Sequence, residues 1–189
     1  MALRSCLDER PAPVVADTSV VINLHATGDG EAILGALPNR CVIVEDVSRE
    51  LEAGRRTGRG DAGALGVLIE QQLVEHAQLG DVGISRFADL VGGAAADTLD
   101  DGEAATIACA MERSAIALID DRKAIRLCAE RFPHLAVGCT LDVLAQQHVQ
   151  AAFGHRLVDA VFNALDRGRM RVPERYGPSR SSGRAWTGR

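Results

Sequence analysis

Short apolar runs alternate with helix-period segments along most of this chain, and two of the runs stop directly on acids. Val14-Val15-Ala16 ends at Asp17, and Ala115-Ile116-Ala117-Leu118-Ile119 ends at Asp120-Asp121. Runs this short and this apolar read as strands buried on both faces. Further strands are expected at Cys41–Val44, Leu73–Ala77 and Leu135–Val137. Helical patterns fill the intervals: after Asp17 through Leu24, from Glu31 to Leu37, from Val47 to Arg55, through Leu65 and Leu68, once within Gly80–Asp100, from Glu103 to Met111, and from Lys123 until Pro133 ends the segment. Two more helices are expected at Leu141–Ala152 and Leu157–Leu165. Strands that alternate with helices need crossover connections, so the fold class is α/β, a parallel sheet covered by helices on both faces. Ligands of such sheets bind at the carboxyl ends of the strands, which makes an acid just after a strand the first candidate for function.

The 189 residues are about one domain. The expected division is an N-terminal extension over 1–13, a folded domain over 14–172, and a mobile polar tail of Arg, Ser and Gly over 173–189. No run approaches the roughly 18 apolar residues of a membrane span, and MALRSCLDERPAP lacks a basic region followed by an apolar one, so a cytoplasmic protein is expected. Five widely spaced cysteines with no C-x-x-C pair point to reduced thiols rather than disulfides or structural zinc. A net charge of -5 excludes a protein that coats nucleic acid by charge alone, yet is compatible with a nuclease whose metal site needs carboxylates. Aromatic residues at 3% exclude a base-stacking platform.

Four carboxylate positions stand out. Asp17 and the pair Asp120-Asp121 follow strands. Glu50 lies on the Val47, Leu51, Gly54 stripe that faces inward, whereas Glu52 faces solvent. Glu103 opens an Ala-rich helix at its positive end. Singly, each has an ordinary explanation: Asp17 and Asp121 as helix caps, Asp100 with Glu103 as a capping box, Glu50 as an arginine partner. Together they would repel one another, and such a cluster is tolerated where a cation or a proton compensates it. Hard divalent ions such as Mg²⁺ take oxygen ligands of this kind and activate water for phosphodiester hydrolysis.

Other chemistries lack their parts. The only lysine, Lys123, falls at a helix start, where a receiver domain needs one at a later strand end. There is no phosphate-binding G-x-x-x-x-G-K-[ST] loop, no third glycine after Gly28-x-Gly30, no H-E-x-x-H and no G-x-S-x-G.

The ordered motifs V-V-A-D-T-S-V-V-I-N-L, V-S-R-E-L, L-D-D-G-E-A-A-T-I-A-C-A and A-L-I-D-D-R-K-A resemble a PIN domain, most closely the VapC-like ribonuclease toxins with G-E-A and I-D-D-R motifs, over about Val14 to Leu165. The resemblance implies a three-layer α/β/α fold with a central parallel sheet and a Mg²⁺- or Mn²⁺-dependent ribonuclease site. It implies Asp17, Glu50, Glu103 and Asp121 as the catalytic acids, with Asp17, Glu103 and Asp121 as metal ligands and Asp120 as a substitute for or neighbour of Asp121. Ser19 matches a small polar residue beside the metal. Relatives often carry Thr where this chain has Ile119, which leaves the choice between Asp120 and Asp121 open. Arg55, Arg56 and Arg59 follow the Glu50 helix and are expected at an RNA-binding rim. The expected partners are RNA, a second copy of the chain through its Ala/Leu-rich helices, and an antitoxin whose arginine enters the acidic pocket. The competing class is a PIN-like module that binds protein or RNA without cleaving, whose signature would be a lost acid.

Overall fold

The computed structural model describes residues 5–8, 11–56, 62–92, 94, 97–173 and 176, with the side chains of 52–56 and 62–65 outside the description. Five strands, β1 (Val14–Ala16), β2 (Cys41–Val44), β3 (Val74–Ala77), β4 (Ile116–Leu118) and β5 (Val137–Gly138), form one sheet in the order β3-β2-β1-β4-β5. Every pairing is parallel, with Val14 opposite Cys41 on one side and Ile116 on the other. The helices are α1 (Thr18–Ala26), α2 (Gly30–Ala36), α3 (Glu45–Arg56), α4 (Ala62–Glu70), α5 (Asp81–Val91), α6 (Asp101–Glu112), α7 (Arg122–Arg131), α8 (Thr140–Leu144), α9 (Gln147–Phe153) and α10 (Arg156–Asp166).

Period-2 side-chain alternation splits the core in two. Val14, Ala16, Cys41, Ile43, Ile116 and Leu118 pack with residues of α1, α2, α3, α8 and α9. Val15, Val42, Val44 and Ala117 point the other way, onto α5, α6 and α7. The result is three layers, α/β/α. Helix α6 lies closest to the sheet because Ala104, Ala105, Ala108 and Ala110, all fully buried, hold its backbone near β1, β2 and β4. Its Glu112 carboxylate accepts the Gly80 and Gly83 N–H groups, each at 3.0 Å, and so caps α5, the one helix expected in the Gly/Asp/Ala-rich segment.

Three expectations change. The helix expected over Leu141–Ala152 is two helices, because the buried Gln146 side chain accepts from His148 N (2.7 Å) and Val149 N (3.3 Å) and starts α9 afresh. Residues 5–8, within the expected N-terminal extension over 1–13, are part of the folded unit: Leu7 joins the core, Ser5 Oγ donates to the Asp142 carbonyl at 2.6 Å, and Cys6 N donates to Asp142 Oδ1 at 3.3 Å. At the other end Tyr176 Oη donates to the same Oδ1 at 2.6 Å, so the folded unit reaches past 172, while 177–189 lie outside the described residues. None of the five cysteines is in a disulfide, and burial pushes the Cys41 thiol up to about 12 and Cys128 to about 11, which makes both unreactive. Among the described residues no helix is long and apolar enough to cross a membrane.

Candidate active site

The strand order places a reversal between β1 and β4: the chain leaves β1 to one side through β2 and β3, then returns to add β4 and β5 on the other. Carboxyl ends of strands at such a point diverge and leave a crevice. Asp17 stands there. Its N–H donates to the Leu118 carbonyl of β4 at 3.0 Å, and its side chain caps α1, accepting Ser19 N (3.2 Å) and Ser19 Oγ (2.6 Å) at Oδ2. Ser19 is thus the group that orients Asp17. Asp17 is 4% exposed, and burial raises its carboxyl above the ordinary value, against the lowering effect of the Ser19 bonds and with the Glu50 charge adding to the rise.

Asp121 caps α7, accepting Lys123 N (2.7 Å) and Ala124 N (3.0 Å), both at Oδ1. Glu103 closes a capping box on α6 with Asp100, and its carboxyl is pushed up to about 7, by burial first and then by the negative charges of Asp121 and Asp17. Glu50 reaches over from α3: Oε2 accepts Thr18 Oγ1 at 2.5 Å and Oε1 accepts Gly102 N at 3.0 Å. Asp17 therefore feels the charge of Glu50, Glu103 feels those of Asp121 and Asp17, and the capping readings of Asp17, Asp121 and Glu103 hold at the same time.

Asp120 behaves differently. Its Oδ2 accepts Asn23 Nδ2 (2.6 Å) and Thr140 Oγ1 (2.5 Å), and its Oδ1 accepts Thr140 N (2.9 Å). Both oxygens are engaged in tying α1 to the start of α8, and of the two adjacent aspartates it is Asp121 whose charge adds to the rise at Glu103. The side chains of Arg55 and Arg56, and Arg59 altogether, lie outside the described residues.

A family profile for PIN domains, DUF3368, matches residues 13–177. The chain belongs to the PIN domain family. PIN domains are generally nucleases and typically use divalent metal ions, which supports, at a coarse level, a hydrolase of the nuclease type. Among solved structures, PAE2754 from Pyrobaculum aerophilum is similar, 16% identical over 72% of this chain and 92% of that one, with a TM-score of 0.43. No curated protein matches the chain.

Whether this PIN domain's residues fit a divalent ion is decided by the donors and their charge. Among the described residues no three His, Cys, Asp or Glu side chains are drawn tightly enough together to ligate one ion as they stand. The donor set is nonetheless all carboxylate, the hard-oxygen type that Mg²⁺ and Mn²⁺ take. Glu103, pushed up to about 7 by burial first and then by the negative charges of Asp121 and Asp17, marks a place where added positive charge is favourable. The residues fit such an ion.

Sequence reasoning missed the residues that hold the acids: Thr18 and Gly102 for Glu50, Asn23 and Thr140 for Asp120. The one readable signal was the glycine of G-E-A. A Cβ at Gly102 would stand 2.5 Å from Glu50 Oε2, so with any other residue there the carboxylate end of Glu50 would have to shift from its present seat on the α6 terminus. The other contacts join residues 32, 97 and 20 positions apart, beyond any local spacing rule.

Proposed function

We propose that this PIN domain is a divalent-metal-dependent ribonuclease that hydrolyses RNA phosphodiester bonds and acts as the toxin of a VapC-like toxin–antitoxin pair. The observation that carries this reading is the placement of Asp17 and Asp121 after neighbouring strands at the reversal of strand order, with Glu103 at the start of α6, where burial and then the charges of Asp121 and Asp17 push its carboxyl up to about 7. Asp17, Glu103 and Asp121 would hold Mg²⁺ or Mn²⁺. The ion, when bound, supplies activation of water and neutralisation of charge on the phosphate. The chain's own part is orientation. Ser19 fixes the Asp17 carboxylate, the α7 N–H groups fix Asp121, and the capping box fixes Glu103. Below about pH 7 Glu103 holds a proton that a cation has to displace. In the sequence Arg55, Arg56 and Arg59 follow the Glu50 stripe, a basic run whose chemistry suits RNA phosphates. A homodimer, and an antitoxin whose arginine enters the acid cluster, are the protein partners this reading carries.

The catalytically silent binding module is the competing reading, favoured by the absence, among the described residues, of three acids in ligating contact. One experiment separates the two. The purified protein is expected to cut RNA with Mg²⁺ or Mn²⁺ and to stop in excess chelator. Cleavage that persists at full rate in chelator would remove the metal mechanism, and RNA bound but left intact across both ions would favour the silent module.

A further inference from the structure

We propose that Thr18 is a positioning residue that acts through Glu50, setting the separation of Asp17 and Glu103. The proposal rests on the ribonuclease reading above for its effect on turnover. The geometry is a two-pronged clamp. Glu50 Oε2 accepts the Thr18 hydroxyl at 2.5 Å, and Oε1 accepts the Gly102 N–H at 3.0 Å. Thr18 follows Asp17 directly and Gly102 directly precedes Glu103. One carboxylate on α3 therefore ties the start of α1 to the start of α6, the two points from which Asp17 and Glu103 project.

The hydroxyl has no local duty that would explain it. Capping of α1 is done by the Asp17 side chain with Ser19, so the Thr18 Oγ1 bond is made across the fold, to a residue 32 positions away. On the other prong the fit is tight: a Cβ on the buried Gly102 would lie 2.5 Å from Oε2 and 2.9 Å from Cδ of Glu50. The carboxylate is thus seated against α6 backbone on one side and held by Thr18 on the other. Without the hydroxyl, a partly buried carboxylate oxygen loses its protein donor and the side chain gains rotamer freedom. A displacement of the two acids by even a fraction of an ångström matters to a reaction that depends on orientation.

Thr18→Val keeps the shape and removes the donor, whereas Thr18→Ser keeps the donor. Two readouts are needed: hydrogen exchange of the Gly102 amide in the metal-free protein, and kcat and KM for RNA cleavage with Mn²⁺. Thr18→Val is expected to speed Gly102 exchange at least tenfold and to lower kcat at least tenfold with KM within threefold of wild type, while Thr18→Ser stays within threefold on every measure. Should Thr18→Val not fold, Thr18→Ala serves the same comparison. Thr18→Val within threefold of wild type on both readouts would overturn the proposal, and so would Thr18→Ser as impaired as Thr18→Val, since packing rather than the hydroxyl would then be responsible. If the wild type neither binds Mn²⁺ nor cuts RNA, the ribonuclease reading falls, and the Gly102 exchange comparison still decides whether Thr18 holds Glu50.

Discussion

Glu103 titrates near neutrality because burial and the charges of Asp121 and Asp17 all oppose its ionisation. Its folded-state value, about 7, lies above the ordinary 4.5, so the folded chain binds the proton more tightly than the unfolded one. That contribution to stability is present at low pH and is lost as pH rises through the interval between the two values. Metal-free protein is therefore expected to melt at a lower temperature at pH 7.5 than at pH 5.5, and Glu103→Gln, which has no proton to lose, is expected to flatten the slope. An unchanged slope in thermal melts of the variant would assign it to another group. The two adjacent aspartates separate in the same way. Asp120→Ala strands the buried Asn23 and Thr140 donors, a loss of about 1–3 kcal/mol, but is expected to leave stabilisation by Mn²⁺ intact. Asp121→Ala removes a cap for about 1 kcal/mol and is expected to abolish that stabilisation. Urea unfolding with and without Mn²⁺ measures both, and the opposite pattern would make Asp120 the ligand.

Strands and their trailing acids were legible because both follow from local chemistry. An apolar run has to be buried, and the residue that ends it has to cap the helix that follows, as Asp17 and Asp121 do. The break between α8 and α9 was not legible, because it depends on Gln146, buried at 1% exposure and using its side chain as a cap that composition rules assign to Ser, Thr, Asp or Asn. Nor was the Glu50 clamp, which needs three elements brought together before its partners exist. That clamp also makes α6 sensitive at one point. Gly102→Ala would gain in helix propensity but force its methyl into the Glu50 carboxylate, for an expected net loss of about 1–3 kcal/mol by urea unfolding. No loss at all would mean that the carboxylate swings away freely and that the clamp is slack.

At the scale of the whole molecule the sheet order does what no single motif can: it carries Asp17 and Asp121 to neighbouring strand ends and lays α3 and α6 over them with Glu50 and Glu103. The convergence of the acids, rather than the presence of each, is the central claim, and four unrelated caps are the alternative. Melting temperatures of wild type and Asp17→Asn, each in chelator and in Mn²⁺, test it most directly. Asn caps nearly as well as Asp, so a lone cap predicts little change, whereas a repulsive cluster predicts that Asp17→Asn melts at the same or a higher temperature in chelator. With Mn²⁺ at a hundredfold excess over its dissociation constant, wild type is expected to gain about 2.7 kcal/mol of stability and Asp17→Asn little. An equal metal-induced rise in the two proteins would place Asp17 outside the site and contradict the account.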